Sequence, residues 1–162
     1  INRILHNYWK ENPNTIREGF IKEHINTETF RPDAFMWEHL KTEAEEVSID
    51  KAIRKLKKIN TPVHFISEAE GNPTFNNCSL EEYEEDKKGF ACLASTEWLT
   101  EVLEYEWFSK GAVMFDGFNL GSDDILPDDI YVFDSSYSWF VIFTQEWDGD
   151  DLDSRLCYMY NL

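Results

Sequence analysis

The side chains that could carry chemistry in this chain are four histidines, three cysteines and 32 Asp and Glu residues. The histidines lie in different segments, without the HExxH spacing or the HxE and PCxxC pair that place ligands around zinc: His6, His24, His39 and His64. The chain also lacks the GxSxG, Walker and GxGxxG motifs of nucleophilic and nucleotide-binding sites. We therefore predict no catalytic residue, no resident metal and no cofactor, and we interpret the chain as a binding protein.

The cysteines Cys78, Cys92 and Cys157 are odd in number, widely spaced and without a CxxC pair. This pattern disfavours both a disulfide framework and a zinc site. Cys92 and Cys157 lie in the apolar runs GFACLAS and RLCYMY, where a cysteine usually behaves as a small hydrophobic residue. We predict that the cysteines are reduced and mostly buried.

The segment WDGDDLDS, residues 147–154, comes nearest to a divalent-cation loop, through Asp148, Asp150 and Asp153. Its spacing does not match a calcium-binding loop, and Asp-Gly is a typical hairpin turn. We interpret it as an exposed turn. Carboxylate pairs are abundant, so an enzyme of an unrecognised family stays as an alternative, one that predicts a concave pocket with perturbed titratable groups.

The net charge of −17 is distributed unevenly along the chain. Residues 1–60 hold 11 Lys and Arg against 10 Asp and Glu, whereas residues 61–162 hold 4 against 22. Clustered carboxylates repel one another, but they also steer a cationic partner into encounter. Nucleic acids and anionic membranes are disfavoured because their phosphates need Lys or Arg. We expect a basic protein as the partner, with solubility alone as the alternative role of the charge.

The first third of the chain has helical periodicity and predicts four helices. The first would run through Ile1 to Trp9 and end before Pro13, and the second would begin at a capping box of Thr15 and Glu18. The third would follow Asp33 with an apolar stripe made of Ala34, Trp37, Leu40, Ala44 and Val47. These elements make up a helical part, residues 1–60.

The fourth helix would begin at Ser48 and bury Ile49, Ala52, Ile53 and Leu56. Its outer face is the one basic feature of the chain: Lys51, Arg54, Lys55, Lys57 and Lys58. A nucleic-acid site would begin there, but the surrounding charge is negative. We interpret this face as solvent-exposed and paired in part with the acidic remainder.

From Pro62 onwards, short apolar runs bounded by turn residues predict about six strands: VHFIS, GFACLA, AVMFDGF, DIYVFD, WFVIFTQEW and RLCYMY. The last three should form an antiparallel meander. SLEEYEED predicts a short acidic helix, and STEWLTEVLEYEWF predicts an amphipathic helix with a strand as the alternative for its second half. The result is a single α+β domain over residues 1–162, with helices packed on a mostly antiparallel, acidic sheet region at 61–162. With no apolar run of about 18 residues and no signal-like start, we expect a soluble cytoplasmic protein.

Residues 126–147, LPDDIYVFDSSYSWFVIFTQEW, combine an acidic turn, an apolar strand ending in Asp, a turn, and an aromatic strand ending in Thr-x-Glu. This segment is similar to one near the C-terminus of many small acidic bacterial proteins. Several of those families resemble immunity proteins of polymorphic and contact-dependent toxin systems, which bind and silence a cognate toxin in the cytoplasm. The resemblance implies no catalytic residue, and it covers about a seventh of the chain.

The resemblance implies a role for the negative charge, because many toxin domains are nucleases whose basic clefts can be blocked by carboxylates. We expect a monomer that forms a 1:1 complex with a basic toxin. Its contacts would be acidic turn residues and one aromatic anchor: Asp123, Asp124, Asp128, Asp129, Asp148, Asp150, Asp151 and Trp147. The alternative is an acidic nucleic-acid mimic that inhibits host DNA-binding or restriction proteins.

Overall fold

The fold is seen in a computed structural model that describes residues 4–7, 13–31, 34–67, 91–108, 113–115, 118–120, 129–147 and 155–162. Within these ranges a seven-stranded sheet, antiparallel throughout, lies between two helical layers. Its strands are β1 (Ile4–Asn7), β2 (Glu45–Val47), β3 (Val63–Ser67), β4 (Ala91–Ala94), β7 (Ile130–Phe133), β8 (Phe140–Trp147) and β9 (Arg155–Tyr160). They lie in the order β1-β4-β3-β7-β8-β9-β2. The α+β class predicted from the sequence is confirmed.

The helices that cover this sheet are α1 (Pro13–His24), α2 (Ile49–Lys57) and α3 (Thr96–Phe108), with a 3-10 turn at Met36–His39. A separate two-stranded hairpin pairs β5 (Val113–Phe115) with β6 (Phe118–Leu120). The described residues of the predicted run AVMFDGF, 113–115 and Phe118, therefore belong to this separate pair of strands and not to one strand of the main sheet. The described helices are too short and too polar for any of them to cross a lipid bilayer.

Both faces of the central strands are buried, and β7 shows this most clearly. Its four residues are fully buried, and because side chains alternate along a strand, Ile130 and Val132 belong to one core while Tyr131 and Phe133 belong to the other. β8 divides in the same way. The continuous apolar runs of the sequence are therefore those of strands covered on both sides.

The first face of the sheet is covered by α2 and α3. Ile53 and Leu56 of α2 and Leu99 and Leu103 of α3 pack with the strands in one apolar cluster. Buried Cys157 belongs to this cluster, as predicted for a small hydrophobic residue. Ser48 caps α2 by accepting a hydrogen bond from the Lys51 backbone N–H at 3.1 Å, which confirms the predicted helix start.

The second face is covered by α1, by Phe30 and by residues 34–44. It is more aromatic: Phe20 of α1 lies 5.0 Å from the ring of Phe133 and 5.4 Å from that of Tyr131. Tyr137, in the turn between β7 and β8, stacks on Phe133 at 5.3 Å. Gly19 faces the Tyr137 ring so closely that a Cβ there would lie 2.5 Å from it, so this helix position accepts only glycine without a shift.

Two predicted helices are wrong. Residues 4–7 form strand β1, paired with β4, where a helix over Ile1 to Trp9 was expected. A helix of about nine residues is marginal by itself, whereas pairing with β4 gives the backbone of residues 4–7 hydrogen-bond partners along one side. The apolar periodicity was real, but the non-local pairing overrides it.

The helix expected after Asp33 is reduced to the 3-10 turn at Met36–His39, followed by an extended chain and strand β2. The backbone of residues 39–41 pairs with the end of α1: the Asn26 N–H donates to the His39 carbonyl at 2.7 Å, and the Lys41 N–H donates to the His24 carbonyl at 2.9 Å. These bonds occupy the His39 carbonyl and the Lys41 N–H, two backbone groups that a continuing helix would pair within itself. The helix predicted at STEWLTEVLEYEWF is confirmed as α3, and SLEEYEED lies outside the described residues.

Candidate partner-binding site

A cleft of about 550 Å³ opens between the C-terminal end of α2 and the first turns of α3. Its lining combines the end of α2, the segment that leads into β3, and one face of α3: Lys57, Ile59, Asn60, Thr61, Pro62, Ser95, Thr96, Glu97, Thr100, Glu101 and Glu104. The cleft brings together the basic helix of the N-terminal part and an acidic helix of the sheet region.

The walls of the cleft are held by local hydrogen bonds. The Ile59 N–H donates to the Leu56 carbonyl at 3.0 Å, which turns the chain out of α2. The Thr96 hydroxyl donates to the Ile59 carbonyl and so ties the start of α3 to the same segment. Ser95 caps α3 by accepting from the Trp98 N–H at 3.2 Å, and Trp98 itself is buried in the core.

The charge of the cleft comes from Glu97, Glu101 and Glu104, which are four and three residues apart and therefore share one face of α3. Glu104 forms an ion pair with Lys57 across the cleft, and the two side chains are 42% and 51% exposed. Among the lining residues that the structure describes, there are thus three carboxylates and one ammonium group. Such a surface attracts cations and repels phosphates.

Three of the cationic side chains on α2 have carboxylate partners. Lys51 lies 3.2 Å from Glu45, Arg54 lies 3.0 Å from Asp50, and Lys57 contacts Glu104. Of these pairs, the one with Glu104 joins the helical part to the acidic region. The interpretation that the basic face is paired in part with the acidic remainder is confirmed for Lys57.

Of the eight residues predicted to contact a partner, the structure describes two. Trp147 ends β8, where its backbone lies opposite Arg155. Asp129 precedes β7 and is only 4% exposed, so its carboxylate is poorly placed to meet a partner. The other six lie outside the described residues, as does the loop Asp148–Asp153, and their role stays a prediction: Asp123, Asp124, Asp128, Asp148, Asp150 and Asp151.

A second polar cluster, absent from the sequence predictions, surrounds the turn between β7 and β8. The Nε2–H of His24 donates to the Tyr137 carbonyl at 2.6 Å, which leaves Nδ1 to accept from the Thr42 hydroxyl at 3.0 Å. Nε2 of His64 lies 3.1 Å from Oγ of Ser135. Two buried imidazoles, from α1 and from β3, therefore hold the same turn.

Burial lowers the pKa of His24, and the bond to the Tyr137 carbonyl and the charge of Glu23 oppose this only in part. Burial also lowers the pKa of His64, against the opposing charge of Asp134. Burial alone would raise the pKa of Asp134, but hydrogen bonds from Ser136 and Trp139 outweigh it and the pKa falls. Burial thus favours the neutral form of both imidazoles.

A neutral imidazole beside a serine hydroxyl is a unit used in nucleophilic catalysis. Here, however, His64 alternates with Val63 and Phe65 and so lies on the opposite face of the sheet from the cleft. Asp134 accepts hydrogen bonds from the Ser136 backbone N–H at 2.9 Å and from its hydroxyl, as in an ordinary turn. The contacts of this cluster shape the turn, and sequence spacing gave no sign of them because His64 and Ser135 are 71 residues apart.

Neither the metal-binding side chains nor similarity to known proteins indicates a function for this chain. Within the described ranges, no group of three or more His, Cys, Asp or Glu side chains is arranged to hold a metal ion. Comparisons with protein-family models, with curated proteins and with solved structures find no match for this chain. A functional conclusion therefore depends on the charge and geometry of the chain itself.

Proposed function

We propose that this chain is an immunity protein, which binds a basic cognate toxin in the bacterial cytoplasm and neutralises it through electrostatic complementarity. The observation that carries the proposal is the charge of residues 61–162, which hold 22 acidic and 4 basic residues. The resemblance of residues 126–147 to bacterial immunity proteins supports the same conclusion. The complex would be 1:1 and would need no cofactor.

The cleft supports a protein partner over a nucleic acid or a membrane. Its described carboxylates lie on one exposed helix face, next to a basic helix whose Lys51, Arg54 and Lys57 already have anionic partners. A phosphate-bearing ligand would meet repulsion here, whereas a basic protein surface would be attracted. A nuclease fits this partner best, because its substrate cleft must be positive to hold phosphates.

The test is to express the protein encoded directly upstream of this gene, where a cognate toxin is expected, and to measure binding and protection together. Co-expression should restore growth, and the association rate should fall steeply between about 0.05 M and 0.5 M NaCl because salt screens the steering charges. An upstream protein that neither binds nor is neutralised would contradict the proposal.

The nucleic-acid mimic is the second candidate, because the same excess of carboxylates suits it. It differs from an immunity protein in breadth. A mimic should bind several unrelated basic DNA-binding proteins with comparable affinity, whereas an immunity protein should bind one partner far more tightly than the others. A panel of such proteins measured at equal salt concentration separates the two.

A further inference from the structure

We propose that the cleft between α2 and α3 receives a lysine or arginine side chain of the basic partner, which exchanges with Lys57 at the carboxylates of α3. This inference rests on the proposed function and assigns it a surface. It also moves the binding site away from the turns singled out in the sequence, to described residues that those predictions did not include.

The shape of the cleft suits a long cationic side chain. Its volume of about 550 Å³ lies within the range of about 300 to 1,000 Å³ typical of ligand sites. Ile59, half-buried against the apolar core, and Pro62 provide apolar surface for an alkyl stem, and the three glutamates of α3 line the same cleft. Lys and Arg bind in this amphipathic way, with the stem on apolar groups and the head on polar ones.

The electrostatics of the cleft also favour a cation. Among the described residues that line it, three are glutamates and one is a lysine. The cleft lies at the C-terminal end of α2, where the helix dipole is negative, and Glu97 in the first turn of α3 offsets the positive end of that helix. A guanidinium could bridge Glu101 and Glu104, which share one helix face.

Lys57 shows that an ammonium group fits this place, since its Nζ already contacts Glu104. The pair is easy to exchange because both side chains are about half exposed and solvent screens the interaction. Lys57 is exposed at the end of α2. Its ammonium group can therefore rotate into solvent when a partner side chain enters the cleft. Lys57 thus acts as an internal substitute for the partner's cation.

The first experiment uses the full chain and a hexa-arginine peptide as the probe, with affinity measured by calorimetry and the binding site located by backbone NMR. Binding should shift the amide signals of residues 57–62 and 95–104. The double variant Glu97→Gln/Glu101→Gln should weaken binding about tenfold, whereas Glu43→Gln/Glu46→Gln, which removes equal charge at exposed positions elsewhere, should weaken it less than threefold.

A substitution of opposite sign makes the test specific. Lys57→Gln removes the competing ammonium group and should tighten peptide binding about threefold or more, while Lys51→Gln changes the net charge equally on the same helix and should have a clearly smaller effect. Equal effects of these two variants, or unchanged binding by Glu97→Gln/Glu101→Gln, would show that overall charge alone acts and would overturn the inference. Each variant's NMR spectrum checks that the fold is intact.

The same variants with the upstream-encoded toxin separate the failure of this inference from that of the proposed function. If the wild-type chain protects cells and both cleft variants keep its toxin affinity, the cleft is not the site although the function stands. If the wild-type chain does not bind the toxin, the proposed function fails, and the peptide titration still decides whether the cleft selects cations. Weaker toxin binding by Glu97→Gln/Glu101→Gln together with tighter binding by Lys57→Gln supports both.

Discussion

The two faces of the sheet are buried by different chemistry. The face under α2 and α3 is packed mainly with aliphatic side chains such as Ile53, Leu56 and Leu103. The face under α1 is packed with rings, and it includes the buried imidazole of His24. The stability that packing on the first face contributes should therefore not depend on pH, whereas the contribution of the second face should. The face next to the cleft is the one expected to be independent of pH.

The largest expected effect comes from Phe20→Ala on the aromatic face. Phe20 is fully buried and lies within 5.7 Å, centroid to centroid, of the rings of Tyr131, Phe133 and Phe140. Removal of the ring should lower the free energy of unfolding by about 3–5 kcal/mol, measured by urea denaturation. Phe20→Leu, which keeps much of the volume, is the matched control and should lose less than half as much.

Gly19→Ala tests the contact between α1 and the turn after β7. Alanine normally favours a helix, but its Cβ would lie 2.5 Å from the Tyr137 ring. We expect a loss of about 1–3 kcal/mol in chemical denaturation. In a Tyr137→Ala background the same substitution should be neutral or stabilising, and a cost that persists there would show that the clash is not its cause.

The pH dependence separates the two faces directly. Because the folded pKa values of His24 and His64 are lowered, the unfolded chain binds more protons, so stability is fully present above the ordinary histidine pKa of 6.5 and declines as the pH falls below it. Stability in urea, measured from pH 8 down to about pH 5, should show this decline. Replacing His24 and His64 by Gln should flatten the profile in this range, and an unchanged profile would assign the decline to other groups.

The smallest expected effect lies on the aliphatic face. Ser48→Ala removes the cap of α2 and should lower the unfolding free energy by about 1 kcal/mol. Because no imidazole is involved in this contact, the loss should be the same at pH 8 and at pH 5.5. Ser48→Asp, which keeps an acceptor, is the control and should retain most of the stability. A loss of unfolding free energy that is larger at pH 5.5 than at pH 8 would contradict the proposed difference between the faces.

Sequence reasoning succeeded where local signals determine the structure. α2 combines the cap Ser48 with inward apolar residues in helical register, and β7, β8 and β9 are apolar runs bounded by turn residues. It failed for β1 and for residues 34–47, whose backbones are fixed by partners distant in sequence. The cleft was not predicted for the same reason, since Lys57 and Glu104 are 47 residues apart and only the tertiary packing of their helices brings them together.

The edge strand β2 has a consequence for the behaviour of the protein at high concentration. An open edge of a sheet can pair with another molecule and start aggregation, and natural proteins prevent this with short strands and charged side chains. β2 is three residues long, and its Glu45 and Glu46 are exposed. If a second copy approached along the same edge, its Glu45 and Glu46 would face these carboxylates and repel them, so β2 should disfavour edge-to-edge association.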